Sequence, residues 1–457
     1  MNTSIVAKKD TSLSESPLRR YFTFVVLYFS QGIPEGITLF GIPAWMAMNG
    51  KSTGEIAAYS AIVILPFSLK ILLAPIMERY TYLPMGRRRP WLILGQIGIL
   101  LSLLGLSLVP NPLENIALVT WVVLCVHVFI IFQDIATDSL VIDIVPLEEQ
   151  GRANSLMWGS KTIGTSISLF VGSWLINEYG FANALLFMAL PVFFIIFVPL
   201  FIRERKGEKL LPWGKGQTSP DAAKLAVDSW KKLFKSFVQV VILKNTLILL
   251  ISVFIALASL HFMRTLLPIF AIQELGWDNV YYSKVYSLSN LAGGIIGMVI
   301  GAIIIQRFGI VRLIQGSMVL IALLGIAMAL LTAFWTQDTF VSAYIAIFCT
   351  LFTLINIGVL ALAMHLCWKR ISAIQFTLCM TVFNLGLASG AALLGYLRSF
   401  FEWKMLFVAF AVIILLGLII LKFIKTKQHL LHVERLEKQY LEVLEAEGSL
   451  LVKSETT

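Results

Sequence analysis

Twelve apolar runs follow one another along this chain, each about as long as a helix needs to cross a hydrocarbon layer. A bilayer core takes roughly 20 residues of helix, and only helices or closed barrels satisfy their own backbone there. The runs are 21–48, 53–79, 90–110, 116–144, 153–177, 181–202, 246–272, 282–306, 311–333, 339–366, 372–397 and 402–424. With 58% hydrophobic and 14% charged residues, a water-soluble fold of 457 residues could not hide this much apolar surface. The pattern predicts an all-α polytopic membrane protein, and an even number of spans puts both termini on one side. Cys125, Cys349, Cys367 and Cys379 all lie in apolar runs, so free thiols are expected rather than a disulfide framework. The first 20 residues lack the apolar core and cleavage site of a leader, so the first span is expected to act as the targeting signal.

The net charge of +10 is not spread evenly. With the N-terminus inside, the inner segments hold 29 of the 36 Lys and Arg and the outer loops hold 4. Lys70, Lys161 and Arg264 lie within spans. This positive-inside bias predicts a multi-pass protein of a plasma (inner) membrane with both termini cytosolic. It accounts for the basic charge without a nucleic acid partner.

The longest internal polar stretch divides the runs six and six. The expected organisation is an N-terminal tail (1–20), a six-helix bundle (21–202), a linker (203–245), a second six-helix bundle (246–424) and a C-terminal tail (425–457). In the linker, Trp230, Leu233, Phe234 and Phe237 share one helical face, with Lys231, Lys232 and Lys235 interleaved. That pattern predicts a helix on the inner leaflet, the alternative being a soluble linker helix. The tail 430–447 has helical spacing and no recognisable chemistry.

A charge at the centre of a span costs at least about 2.5–3.5 kcal/mol. This chain places Glu35, Lys70, Asp134, Asp138, Lys161 and Arg264 there, with Asp143 nearer the inner end of its span. His127, His261 and His365 are also within spans. Gln31, Glu35 and Thr38 form one stripe, as do His127, Asp134 and Asp138. Asn154, Trp158, Lys161, Thr165 and Ser168 share a third face, and His261 neighbours Arg264. Four helices with one polar stripe each predict a shared polar cavity. Glu35 and Asp138 are expected to handle protons, and Lys70, Lys161 and Arg264 to bind an anion or form pairs that break during transport. The plainer reading is structural, with Asp134 and Asp138 paired to Lys70 and Lys161. A lone His is more often a packing residue, and His261 is the strongest functional candidate of the three.

Glu78, Arg79, Arg87, Arg88, Arg89, Asp143, Glu149 and Arg152 fall at the inner ends of spans 2 to 5. Opposite charges there could latch two halves closed on the cytosolic side and separate in the opposite state. Marking of topology by arginine is the simpler alternative.

The join after the second span, Glu78-Arg79-Tyr80 then Gly86-Arg87-Arg88-Arg89-Pro90, has a counterpart after the eighth, Gln306-Arg307-Phe308-Gly309 then Arg312. With the six-plus-six split, this resembles the major facilitator superfamily, whose substrate site lies between two pseudo-symmetric halves. Gln31-Gly32-Ile33-Pro34-Glu35-Gly36, Pro66 to Pro75, Gly86 to Trp91, Gln133-Asp134-Ile135-Ala136-Thr137-Asp138 and Ser372 to Phe376 resemble the AmpG-type muropeptide permeases and related acetyl-CoA transporters. The resemblance implies proton-linked movement of a bulky, anionic, amphipathic solute. Lys70, Gln133, Asp134 and Asp138 match the shared pattern, and Lys161 stands where a basic residue is expected. Glu35 departs from the pattern, since an apolar residue is usual after that Gly-x-Pro. The expected substrate set is Gln31, Lys70, Gln133, Lys161, His261 and Arg264, and the expected proton set is Glu35, Asp134 and Asp138.

The leading expectation is a monomeric secondary transporter, a proton symporter for a solute such as a muropeptide. An alternative keeps the fold and carries an acyl-CoA or another metabolite. A membrane enzyme would need a nucleophile or base with partners, and no His-x4-Asp, Ser/His/acid set or metal-type His/Cys cluster is present. No catalytic residues, metal or cofactor are expected. A sensor or scaffold would carry a larger extramembrane domain. Gly293, Gly294, Gly297 and Gly301 lie inside a span and read as close helix packing.

Overall fold

The computed structural model describes residues 12–51, 53–227, 229–277 and 279–455. The long helices in chain order are α1 (Pro17–Gly36), α2 (Thr53–Arg79), α3 (Arg89–Ser107), α4 (Ile116–Ile144), α5 (Leu147–Tyr179) and α6 (Phe181–Phe201). After the linker come α7 (Lys244–Gln273), α8 (Asn279–Ile296), α9 (Ile310–Leu330), α10 (Asp338–His365), α11 (Ser372–Arg398) and α12 (Trp403–Leu421). α1 runs on through a π-turn at Ile37–Gly41 into Ile42–Met48, and α8 does the same through Gly297–Gly301 into Ala302–Phe308. A shorter helix, Trp230–Val241, lies in the linker, and a last helix spans Thr426–Glu455.

Among the described residues, nine helices are long and apolar enough to cross a membrane. The segments 17–48, 53–79 and 147–179 coincide with the other three expected spans. Cys125, Cys349, Cys367 and Cys379 are free thiols, and Cys125 is exposed while the others are buried.

The packing repeats. In the first half α1 packs on α5 and α6, α3 on α4 and α6, and α2 on α4. In the second half α7 packs on α11 and α12, α9 on α10 and α12, and α8 on α10. Each pairing recurs six helices later, which makes two pseudo-symmetric six-helix bundles. They meet along α5 with α8 and α10, and along α2 and α4 with α11.

Small residues set the closest of these approaches, as expected where lipid supplies no hydrophobic drive between helices. A Cβ on Gly32 would stand 2.5 Å from the Lys161 carbonyl oxygen, and one on Gly36 would stand 2.5 Å from that of Thr165. The second half repeats the device, with Gly386 and Gly390 of α11 against the backbone of Phe254 and Ala258 on α7. Gly294 of α8 packs on Thr162, and Gly297 of the π-turn that follows packs on Thr353 and Ile357, so both are packing residues.

Gly32→Val is therefore expected to force α1 away from α5 and destabilise the bundle, by about 1–3 kcal/mol for an overpacked contact. Thermal melting of the purified protein checks this. Gly316→Ala, whose Cβ would meet nothing within 4 Å, is expected to melt like the parent.

Candidate functional site

The close α1–α5 approach brings Glu35 Oε1 to 2.8 Å from Lys161 Nζ. On the neighbouring pair of helices, Lys70 Nζ of α2 lies 2.5 Å from Asp134 Oδ2 of α4. One turn further along α4, Asp138 accepts a hydrogen bond from the Tyr28 hydroxyl of α1. Four helices of the first half are thus joined by three contacts that each involve an intramembrane carboxylate. Lys161 pairs with Glu35 rather than with either aspartate.

The other polar residues of these stripes divide by partner. His127 hydrogen-bonds the Thr38 hydroxyl at 2.8 Å and the Val63 carbonyl, a satisfied packing residue. The Gln133 amide donates to the Leu27 carbonyl at 3.1 Å, tying α4 to α1. Gln31 is buried, with its amide beside the Asp134 carboxylate. Asn154 donates to the Ile357 carbonyl at 2.8 Å, across the junction of the halves.

The second half contributes different chemistry. His261 of α7 meets the Phe352 ring of α10 edge-on at 5.8 Å, and the Arg264 guanidinium lies 5.7 Å from the same ring. Arg264 is exposed, and among the described residues no carboxylate lies within 4 Å of it. Lys70 and Lys161, by contrast, are held by carboxylates.

The densest charge cluster lies at the basic end of the bundle. Arg87 and Arg88 are fully buried between Glu78 and Asp143. Arg88 reaches Glu78 at 2.9 Å and Asp143 at 3.1 Å, and Arg87 reaches Asp143 at 3.1 Å and also pairs with Glu78. Two cations and two anions cancel, which a buried site requires. The same four side chains reach the second half. Arg87 donates to the carbonyls of Lys369, at 2.7 Å, and Arg370. Arg88 donates to the Ser372 hydroxyl at 3.0 Å, which donates onward to Asp143 at 2.9 Å. Glu78 accepts the Ala373 backbone N–H at 2.6 Å, a carboxylate at the N-terminus of α11, where the helix dipole favours it.

Two supports hold this cluster. The Glu204 carboxylate accepts the backbone N–H groups of Arg87, Arg88 and Arg89. Gly86 lets it in: at φ +103°, a Cβ there would stand 2.5 Å from the Glu204 carboxyl carbon. Arg89 turns the other way and donates to the carbonyls of Pro199 and Leu200 at the end of α6. On the far side, Glu437 of the last helix pairs with Arg370 at 2.6 Å and accepts from the Trp368 indole, while the Tyr440 ring lies 3.9 Å from the Arg370 guanidinium. Residues 13 and 14 hydrogen-bond to the carbonyls of Arg203 and Glu204. Both tails and the linker therefore meet at this end.

Arg79, Glu149 and Arg152 stand outside the cluster that joins the halves. Glu149 pairs with Arg20 at 2.8 Å and accepts from Tyr21, and Arg152 lies over the Tyr21 ring at 5.0 Å. Arg79 lies near the Tyr80 ring.

Glu208 gives this end a pH dependence. Burial, then the nearby Glu204 charge, push its carboxyl up to about 8. The folded form holds a proton that the unfolded chain releases, so the stabilisation is complete below the ordinary carboxyl range and is lost as pH rises through about 8. Amide exchange over 203–217, corrected for intrinsic rate, is expected to quicken between about pH 5 and 8 and to level off above that, and Glu208→Gln to abolish the change.

Sequence reasoning missed Tyr28, Glu204, Ser372 and the carbonyls of Lys369 and Arg370. Of these, Ser372 had a signal in the sequence, since it opens the run Ser372 to Phe376 that carries part of the family resemblance.

A two-lobed helical bundle with charges inside its spans and a charge cluster across its halves is the architecture of a membrane carrier. The family model for the Major Facilitator Superfamily matches residues 22–378, and the chain belongs to that family. That family is a class of transporters rather than of enzymes. It is 26% identical over 293 residues to the anhydromuropeptide permease of Escherichia coli K12, covering 63% of this chain and 56% of the permease. It is 22% identical over 415 residues to a Rickettsia prowazekii protein assigned as a transporter, AmpG 1, covering 84% of this chain and 93% of that one. The likeness to AmpG-type permeases read from the sequence is thus found again among these relatives. The first curated relatives are matched over about half their length, 40% for a Haemophilus influenzae protein and 56% for the permease. The fold matches that of FucP crystallised in the outward conformation, with a TM-score of 0.64 at 11% identity, covering 89% of this chain and 98% of that one.

Proposed function

We propose that this protein is a proton-coupled symporter for a bulky anionic solute of the muropeptide class, working by alternating access. Its state here is outward-facing, with the basic end cytosolic and closed, both termini inside, in an inner or plasma membrane, and as a monomer with twelve spans.

The observation that carries this reading is the pairing of intramembrane charges across helices: Glu35 with Lys161 and Asp134 with Lys70. An anion that draws Lys161 toward itself leaves Glu35 without its cation, and a carboxylate deprived of a cation takes up a proton more readily. Solute entry and proton uptake then favour each other. Arg264 and His261 supply the second half's contact to the anion, with Phe352 for an apolar face of the solute. The name of the Escherichia coli relative supports the cargo class.

Binding of radiolabelled anhydromuropeptide to the purified protein tests the anion contacts. Lys161→Gln and Arg264→Gln are each expected to weaken it about tenfold or more, the loss of one charge-assisted contact. Unchanged affinity in both variants would remove the cationic-cavity argument.

A further inference from the structure

The linker helix Trp230–Val241 carries two apolar faces. One is used: Leu233, Ser236 and Val240 are buried. The helix touches α2 of the first half and, in the second half, α11 and the turn 369–371 that receives Arg87. It therefore lies across the junction that the Glu78–Arg87–Arg88–Asp143 cluster closes.

The other face is exposed. Trp230, Phe234, Val238 and Ile242 follow one another at four-residue intervals and are 39%, 49%, 50% and 66% exposed. Trp230 stacks on Phe234 at 6.1 Å and meets Tyr80, itself 57% exposed, at 6.3 Å. The next row of the helix carries Lys231 and Lys235, both exposed. An apolar row edged by lysines suits a surface that is apolar beneath and anionic above. The chain fixes the depth. Shortly after Val241, at Lys244, it enters the membrane helix α7, so the far end of the linker helix is tethered at the headgroup level.

We infer that the row Trp230, Phe234, Val238 and Ile242 inserts into an acidic-phospholipid surface, with Lys231 and Lys235 on the headgroups, so that the helix straps the closed junction to the bilayer. The sequence pattern alone placed Leu233 on the lipid face; the structure turns it inward and leaves the lipid contact to the other row.

The full chain, reconstituted in phosphatidylcholine vesicles with or without phosphatidylglycerol, tests this. Nitroxide labels at Phe234→Cys and Val238→Cys, in a Cys125→Ser background, are expected to be accessible to oxygen and shielded from a water-soluble nickel complex when phosphatidylglycerol is present. A label at the exposed Gln217→Cys is the aqueous reference. Lys231→Glu with Lys235→Glu is expected to reduce the inserted population several-fold in the acidic vesicles and little in neutral ones. Labels at 234 and 238 as aqueous as the one at 217 in both lipids would overturn the inference and leave the row to a protein partner. Insertion indifferent to charge reversal would overturn the acidic-lipid part of it. Neither readout depends on the cargo.

Discussion

Glu78→Ala is expected to open the basic end of the bundle. Glu78 holds Arg87, Arg88 and the Ala373 N–H together, so its loss leaves two buried guanidiniums to share Asp143. Removing one partner of a buried ion pair costs about 3–5 kcal/mol, which corresponds to a factor of about 10² to 4 × 10³ in the equilibrium between closed and open states. Both arginines gain water when the halves part, so the closed state bears the whole cost. Spin labels at Tyr82 and Arg312, one in each half, should move apart in pulsed dipolar measurements. Ser372→Ala, which breaks only the hydroxyl relay, should shift the populations less. Arg79→Ala, beside Glu78 but outside the cluster, should leave the distance unchanged. An unaltered distance in Glu78→Ala would show that the cluster does not hold the closed state.

The second large effect concerns the carboxylates. Glu35→Gln with Asp138→Asn should abolish the acceleration of uptake by an inward proton gradient while leaving solute binding within a few-fold of the parent. Both amides keep shape and hydrogen-bonding capacity. The amide at position 138 can still accept from Tyr28, and the one at position 35 can still meet Lys161. What they lose is the ability to take a proton. Asp134→Asn should behave differently. It frees Lys70, buried at 3% exposure, and leaves an uncompensated charge, so lower expression and melting temperature are expected before any change in coupling. Retained pH-gradient acceleration in the Glu35→Gln, Asp138→Asn double variant would mean that protons travel elsewhere.

The fold was legible because each span is a local statement: about 20 apolar residues need no knowledge of neighbours. The charges were legible for the converse reason, since Glu35, Lys70, Asp134 and Lys161 stand out against apolar runs. These polar residues also blur the first signal. α5, with Asn154, Lys161, Thr162, Thr165 and Ser166 on its length, is not among the nine helices that are apolar enough by composition. Pairing was not legible, because it depends on how closely two helices approach and in what register. Gly32 and Gly36 set that distance for α1 and α5, and so decide that Lys161 meets Glu35. Tyr28 reads as one more apolar residue of its span. The second half's part in the basic cluster is made largely of backbone, and a carbonyl of Lys369 or Arg370 leaves no trace in residue identity. Glu204 lies far along the chain from Arg87 to Arg89 and caps them only because the linker folds back there.

The central claim is that a proton gradient drives an anionic solute through the first half's paired charges. Uptake of labelled anhydromuropeptide into proteoliposomes, with and without an inside-alkaline gradient, measures it directly. The account predicts gradient-dependent accumulation by the parent protein and none by the Glu35→Gln, Asp138→Asn variant. Uptake that is equal with and without the gradient, or no uptake in a preparation whose spin-label distances show both states, would contradict it.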